Sequence, residues 1–131
     1  MKEFLEKILQ LAKNKEYDEM VNYVNSKQWI EAKATLDTLG NWKDSEKYIS
    51  DIYYNYYLIN ANEEYKNQNL ESSLDLYKKA KEYNSNDKNL DEKIKNIQNK
   101  SAINYLKLQS NFFYDNIQNS FSYGNIFLHF F

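Results

Sequence analysis

A self-similarity with a period of 41 residues constrains the fold of this chain more than any other feature. Residues 29–36 align with residues 70–77. The positions upstream of both segments follow the same register: Met20 aligns with Ala61 and Ala102, and Val24 aligns with Tyr65 and Leu106. A fixed period of about 20–50 residues is typical of arrays in which each repeat is one supersecondary unit. We therefore expect repeated helical hairpins.

The composition permits long helices almost everywhere along the chain. There is no Pro and there are only two Gly, Gly40 and Gly124, so few positions interrupt a helix. A β-sandwich would need many turn residues, which this sequence lacks. The 131 residues suffice for one domain, and the 13 Tyr supply surface for a core.

The charged residues argue against nucleic acid as a partner. All 17 basic residues are Lys and the net charge is −2. The chain therefore has neither a basic excess nor the guanidinium fork that binds phosphate or guanine in a bidentate way. Five tyrosines could stack on the bases of a single strand, but such proteins also need a cationic groove, and here lysines alternate with acids. These tyrosines are Tyr48, Tyr53, Tyr54, Tyr56 and Tyr57.

Several residue types and segments are absent, and these absences limit the cellular compartment and the kinds of site that we expect. The chain has no Cys and its only His is His129, so we expect no metal site, no cofactor and no disulfide. No run approaches the roughly 20 apolar residues of a membrane span. Residues 1–13 are amphipathic, and Glu3 and Glu6 interrupt the apolar stretch that a signal peptide needs. We expect a cytoplasmic protein without a membrane partner.

Candidate catalytic groups lack the companions that chemistry requires. A general base needs a partner group, and His129 has no second His or Cys to work with. The adjacent carboxylates Glu63-Glu64 and Asp91-Glu92 lie on predicted helices, where neighbouring side chains do not face each other. The two glycines are too far apart for a phosphate-binding loop. We predict that the protein is not an enzyme and has no catalytic residues.

Apolar periodicity predicts the individual helices and their ends. Helices are expected over residues 2–13, 17–25, 29–39, about 45–67 and 70–83, followed by a last helix that reaches about residue 119. Gly40 is the expected terminator of the third helix, and Asp44 or Ser45 the N-cap of the fourth. The last helix should start near Asp87 or Asn89, and in the second case Glu92 completes a capping box.

Residues 61–87 resemble a tetratricopeptide repeat. They carry its small, aromatic and turn positions in register: Ala61, Tyr65, the turn Asn67-Gln68-Asn69, Leu70, Ser73, Tyr77 and Ala80. Gln68 stands where the family has Gly, and Ser85 where it has Pro. The first unit resembles a variant from low-GC bacteria, in which Trp/Tyr-x-Glu-Ala is followed by Leu-Gly-x-aromatic-Lys-Asp-Ser. Residues 29–32 and 39–45 match those two motifs.

The resemblance covers residues 16–108 and implies an all-α fold. The implied architecture is a short right-handed stack of antiparallel helical hairpins, a TPR-like α-solenoid with six or seven helices. Residues 1–131 would form one domain with a capping helix at 1–13, hairpins at 16–45 and 46–87, a degenerate third hairpin at 88–121 and an apolar tail at 122–131. We expect Ala61 and Ala80 where the helices cross, because small residues let helices approach closely.

The resemblance also implies the class of function, because such repeats bind proteins or peptides. We expect a non-enzymatic scaffold or adaptor that uses the concave face of the stack, which the first helix of each hairpin lines. Transfer by position gives seven candidate peptide-binding residues: Asn55, Asn62, Tyr65, Lys66, Asn99, Ile103 and Lys107. Asn suits this task because its amide both donates and accepts hydrogen bonds.

Two alternatives stay open in the sequence. The protein could be a small stand-alone antagonist from a phage or mobile element, similar to an anti-CRISPR protein, that inhibits a host enzyme by binding it.

The end of the chain, residues 126–131, is apolar except for His129. An array that ends apolar exposes the surface meant for a further repeat. The tail should therefore fold back over the last hairpin, mediate self-association or contact a partner.

Overall fold

The fold of the described residues is entirely helical. The structure is a computed structural model that describes the backbone of residues 1–129 and the side chains of residues 1–119. Within that part lie five α-helices: α1 Lys2–Asn25, α2 Trp29–Leu39, α3 Ile49–Lys66, α4 Leu70–Tyr83 and α5 Lys88–His129. A short 3-10 helix, Ser45–Tyr48, precedes α3. The all-α prediction is confirmed, and the right-handed stack stays a prediction.

The chain divides into two compact units. The first, Met1–Ile94, contains α1 to α4 and the first turns of α5, and the second begins at Lys95 within α5. In the part of the chain that the structure describes, none of these helices combines the length and apolar character needed to cross a bilayer. The predicted assignment of residues 1–131 to one domain remains a prediction.

Two hairpins in the first unit have the same turn, 41 positions apart. Helices α1 and α2 are joined through Lys27 at φ 58°, and α3 and α4 through Gln68 at φ 64°. The same backbone bond closes each turn: the Gln28 N–H donates to the Tyr23 carbonyl at 2.8 Å, and the Asn69 N–H donates to the Glu64 carbonyl at 2.9 Å. A left-handed residue followed by such a bond is a Schellman helix end. The sequence repeat is therefore a repeat of backbone geometry, even without Gly at the turn.

The core of the two hairpins follows the same repeat. Every residue of four aligned pairs is buried, with at most 5% of its surface exposed: Met20 with Ala61, Ala32 with Ser73, Leu36 with Tyr77, and Leu39 with Ala80. Ala61 and Ala80, which are expected where the helices cross, are both fully buried. The third copy of the repeat does not follow this burial, since Ala102 is exposed and Leu106 is 63% exposed.

Two predicted helix breaks are absent from the structure. Residues 2–13 and 17–25 belong to the single helix α1, because the connecting Asn14-Lys15-Glu16 contains no Gly or Pro to end it. The predicted third hairpin is the single helix α5, which has no turn between Lys88 and His129. The described part thus has five α-helices where six or seven were expected. The side chains of the tail from residue 122 lie outside the described residues, so its predicted fold-back or self-association does too.

The link between α2 and α3 depends on Gly40 and Ser45. Gly40 ends α2 at φ 65° and ψ −143°, a region that residues with a side chain rarely adopt. The buried Ser45 hydroxyl accepts a hydrogen bond from the Trp42 N–H at 3.1 Å and donates to the Gly40 carbonyl at 3.0 Å. These two hydrogen bonds satisfy backbone polar groups of the tight loop that leads the chain into α3. The expected helix terminator is confirmed.

We predict that Ala61→Leu overpacks the crossing of α3 and α4 and lowers the free energy of unfolding by about 1–3 kcal/mol. Chemical denaturation followed by circular dichroism measures this. Ala34→Leu is the matched control, because Ala34 is exposed on α2 and the same substitution should there change stability by about 0.5 kcal/mol or less. Equal effects at the two positions would place Ala61 outside the crossing.

A second prediction concerns the backbone at Gly40. A Cβ added at Gly40 meets no atom within 4 Å, so any cost of Gly40→Ala comes from the positive φ alone. We expect a loss of about 1–3 kcal/mol in the free energy of unfolding. Asn41→Ala, one residue further on and also exposed, should stay within about 0.5 kcal/mol of the parent protein. A neutral Gly40→Ala would contradict the strained geometry.

Candidate functional site: the cleft between α3 and the start of α5

The seven residues predicted to bind a peptide lie in two groups. Helix α3 carries Asn55, Asn62, Tyr65 and Lys66, within the first compact unit. The second unit carries Asn99, Ile103 and Lys107 on α5, all three exposed. The predicted set is therefore divided between the two units.

Asn55 and Asn62 have different environments although both lie on α3. The Asn55 amide donates to the Asp51 carbonyl of its own helix at 2.8 Å, so one donor is already used. The Asn62 side-chain oxygen instead accepts from residues of two other helices, the Tyr77 hydroxyl and the Lys93 ammonium, the latter at 3.3 Å. Of the candidates on α3, Asn62 is therefore the one that connects separate elements.

Lys93 completes a small constellation with Asn62 and two tyrosine rings. Its ammonium nitrogen lies 5.0 Å from the Tyr77 ring centroid and 5.2 Å from the Tyr65 ring centroid. Both distances are within the range of cation–π attraction. Tyr77 is fully buried, so its ring and hydroxyl are fixed by the core, and they hold Lys93 and Asn62 in place from beneath.

The position of Lys93 depends on how α5 begins. Asp87 caps the helix, since the Leu90 N–H donates to one Asp87 carboxylate oxygen at 3.1 Å. The Tyr54 hydroxyl of α3 donates to the other oxygen, and Leu90 is buried at 3% exposure. These contacts anchor the first turn of α5 on α3, and Lys93 follows one turn later. Of the two predicted starts, the structure has the one at Asp87.

The electrostatics of this anchor keep both groups in a defined protonation state. Burial, followed by the hydrogen bond to Asp87, raises the pKa of Tyr54 to about 12. The hydrogen bond from Tyr54, with those from the Leu90 and Asn89 backbone, lowers the pKa of the Asp87 carboxyl. At neutral pH Tyr54 is a donor and Asp87 a charged acceptor, which favours the observed pair.

These residues line a cleft of about 220 Å³ between α3 and the start of α5. Its walls are Tyr54, Leu58, Asn62, Asp87, Asn89, Leu90 and Lys93. Asp87 is occupied by the helix start, whereas Lys93 takes part in none of the ion pairs among the described residues. The cleft thus offers one uncompensated ammonium beside an amide on a partly apolar floor.

Sequence reasoning found Asn62 and Tyr65 but missed Lys93, Tyr54 and Asp87 as parts of one site. The 41-residue period pointed instead to positions 99, 103 and 107, which belong to the second unit. The spacing of Leu90 and Lys93 was the available signal. Residues three apart share a helix face, so a buried Leu90 places Lys93 toward the same neighbour.

Comparison of the chain with known protein families, curated proteins and solved structures finds no match.

We predict that Asp87 contributes to stability only above acidic pH. Its pKa is lowered in the folded protein, so its contribution is complete above the unfolded value near 3.8 and is lost as the pH falls through the lower folded value. Asp87→Asn keeps a capping oxygen but removes the charge, so the gap in unfolding free energy from the parent should be largest near pH 7 and close at about pH 2. Asp75→Asn, exposed on α4, is the matched control, and an equal pH-dependent gap in that variant would contradict the prediction for Asp87.

Proposed function

We propose that this protein is a non-enzymatic binding scaffold that holds a peptide segment of a protein partner in the cleft between α3 and α5. The observation that carries the proposal is the Asn62–Lys93 pair, in which an ammonium that forms no ion pair with the described residues lies against two tyrosine rings. Asp87, the one carboxylate among the residues that line this cleft, already accepts hydrogen bonds from the Tyr54 hydroxyl and the Leu90 N–H, so Lys93 and Asn62 remain for a ligand.

The Asn62 amide is oriented for a main-chain contact. An ammonium can only donate, so the Asn62 atom that faces Lys93 must be the oxygen, which also fixes the amide nitrogen on the other side. Asn62 is exposed, and the hydrogen bonds described for it use only its oxygen. Its two N–H donors are thus available to a carbonyl of a bound peptide.

Lys93 defines the second half of the recognition. An ammonium attracts a carboxylate, and here the aromatic rings restrict where that carboxylate can lie. A peptide that ends in the cleft would present a terminal carboxylate to Lys93 and its last carbonyl groups to Asn62. Tyr65 and Lys66, on the same side of the end of α3, extend the contact. Asn99, Ile103 and Lys107 remain candidate peptide-binding residues within the second unit.

A peptide array tests the proposal. Identical peptides with a free carboxylate or an amide at the C-terminus are probed with the parent protein, which should retain a set of free-acid peptides and release their amidated forms. Lys93→Gln should lose this preference about tenfold in affinity, and Asn62→Ala should weaken the same peptides further when combined with it. Lys95→Gln is the matched control, since Lys95 is exposed two residues further along α5, on the opposite side of the helix. Equal binding of acid and amide forms, or an unchanged preference in Lys93→Gln, would contradict the proposal.

A further inference from the structure

A second and larger cavity lies where α2 and α4 end against the start of α3. Its volume is about 710 Å³, and Tyr53 and Tyr83 contribute its aromatic wall. It exists because the two return helices differ in length: α2 has 11 residues and α4 has 14. Gly40 turns the chain away early, and the space that another turn of α2 would fill stays open. The cavity shares no lining residue with the α3–α5 cleft.

The aromatic wall is held in place by its own contacts. The Tyr53 and Tyr83 rings lie 5.3 Å apart at an interplanar angle of 35°. Tyr57 stacks on Tyr83 at 6.0 Å and 19°, and Tyr56 meets Tyr57 edge-on at 5.4 Å. Tyr53 and Tyr83 each have two aromatic neighbours, so the part of each ring that lines the cavity is preorganised, which lowers the entropy cost of binding a ligand.

The same tyrosine cluster already binds a cation of this chain. The Lys33 ammonium lies 5.1 Å from the Tyr53 ring centroid and 4.8 Å from that of Tyr56. On its other side Lys33 pairs with Asp37 at 2.7 Å. The cluster therefore combines ring faces with a carboxylate in the way that aromatic cages for cations do.

The charges that line the cavity have one sign. Asp37 and Glu46 lie in its wall, and no lysine is among its lining residues. Burial alone would raise the pKa of Asp37, but hydrogen bonds from Lys33 and Tyr53 lower it overall, so this carboxylate stays ionised. The last turn of α2 contains no basic residue, and the negative end of its dipole points into the loop at Gly40. Lys33 already neutralises Asp37, so Glu46, which takes part in none of the ion pairs among the described residues, is the carboxylate of the wall that remains for a bound cation.

We propose that this cavity binds the cationic side chain of an Arg or Lys presented by a protein partner. The guanidinium or ammonium group would lie against Tyr53 and Tyr83, with Glu46 as its counter-ion. A planar guanidinium can stack on the rings while it donates to the carboxylate, which favours Arg over Lys. The site is independent of the α3–α5 cleft and does not rest on the function proposed for that cleft.

The test uses three blocked pentapeptides, glycine at four positions and Arg, Lys or citrulline in the centre. Citrulline has the shape of Arg without its charge. Titration followed by NMR of the tyrosine rings should shift Tyr53 and Tyr83 with the Arg and Lys peptides and leave them unchanged with the citrulline peptide. Glu46→Gln and Tyr83→Leu should each weaken Arg binding about fivefold. Glu46 is exposed, so its variant keeps the test valid if Tyr83→Leu fails to fold.

Two control variants distinguish binding in this cavity from attraction to surface carboxylates in general and from binding in the α3–α5 cleft. Glu71→Gln removes an exposed carboxylate from the start of α4 and should leave Arg binding unchanged. Lys93→Gln changes the other cleft and should also leave it unchanged. Binding of the citrulline peptide equal to that of the Arg peptide, or equal losses in Glu46→Gln and Glu71→Gln, would overturn the proposal. Binding that only Lys93→Gln abolishes would overturn it as well.

Discussion

The packing of α3 against α4 is the contact on which the rest of the first unit depends. Ala61, Ser73 and Ala80 are fully buried there, and their small size lets the two backbones approach. This approach brings the Tyr77 hydroxyl from α4 to Asn62 on α3. It also brings Tyr83 at the end of α4 against Tyr53 near the start of α3. Both candidate binding regions therefore depend on this one hairpin.

Particular elements show how far the fold was predictable from sequence. The repeat predicted the turn at Gln68 and the bounds of α4, Leu70–Tyr83, because a 41-residue echo aligns turns as well as core positions. The prediction from sequence was wrong at the break after Lys13, because no residue there ends a helix and the two predicted helices form the single helix α1. It also failed at the third hairpin. Ala102 and Leu106 match the repeat in residue type, yet both are exposed, because type alone does not supply a return helix to pack against.

The candidate sites were predictable only in part, because each combines side chains from separate helices. Asn62 and Tyr65 follow from the repeat register, since they occupy the first helix of the best-matched hairpin. Lys93 does not, because its position depends on where α5 starts, and Asp87 and Asn89 were equally good starts in the sequence. The aromatic cavity depends on α2 being shorter than α4, and no single residue in the sequence predicts this difference in length.

The two proposed sites differ in the charge of the group that they would bind and in the side of α3 on which they lie. Tyr53 and Asn62 are nine residues apart on α3, or two and a half turns, so they project from opposite sides of the helix. One short peptide could not occupy both sites without passing around the helix. The Lys93 cleft favours an anionic group, whereas the cavity with Asp37 and Glu46 favours a cationic one. The two proposed sites would therefore take ligands of opposite charge on opposite sides of α3. Under the two proposals, a single hairpin would therefore bind two different partners.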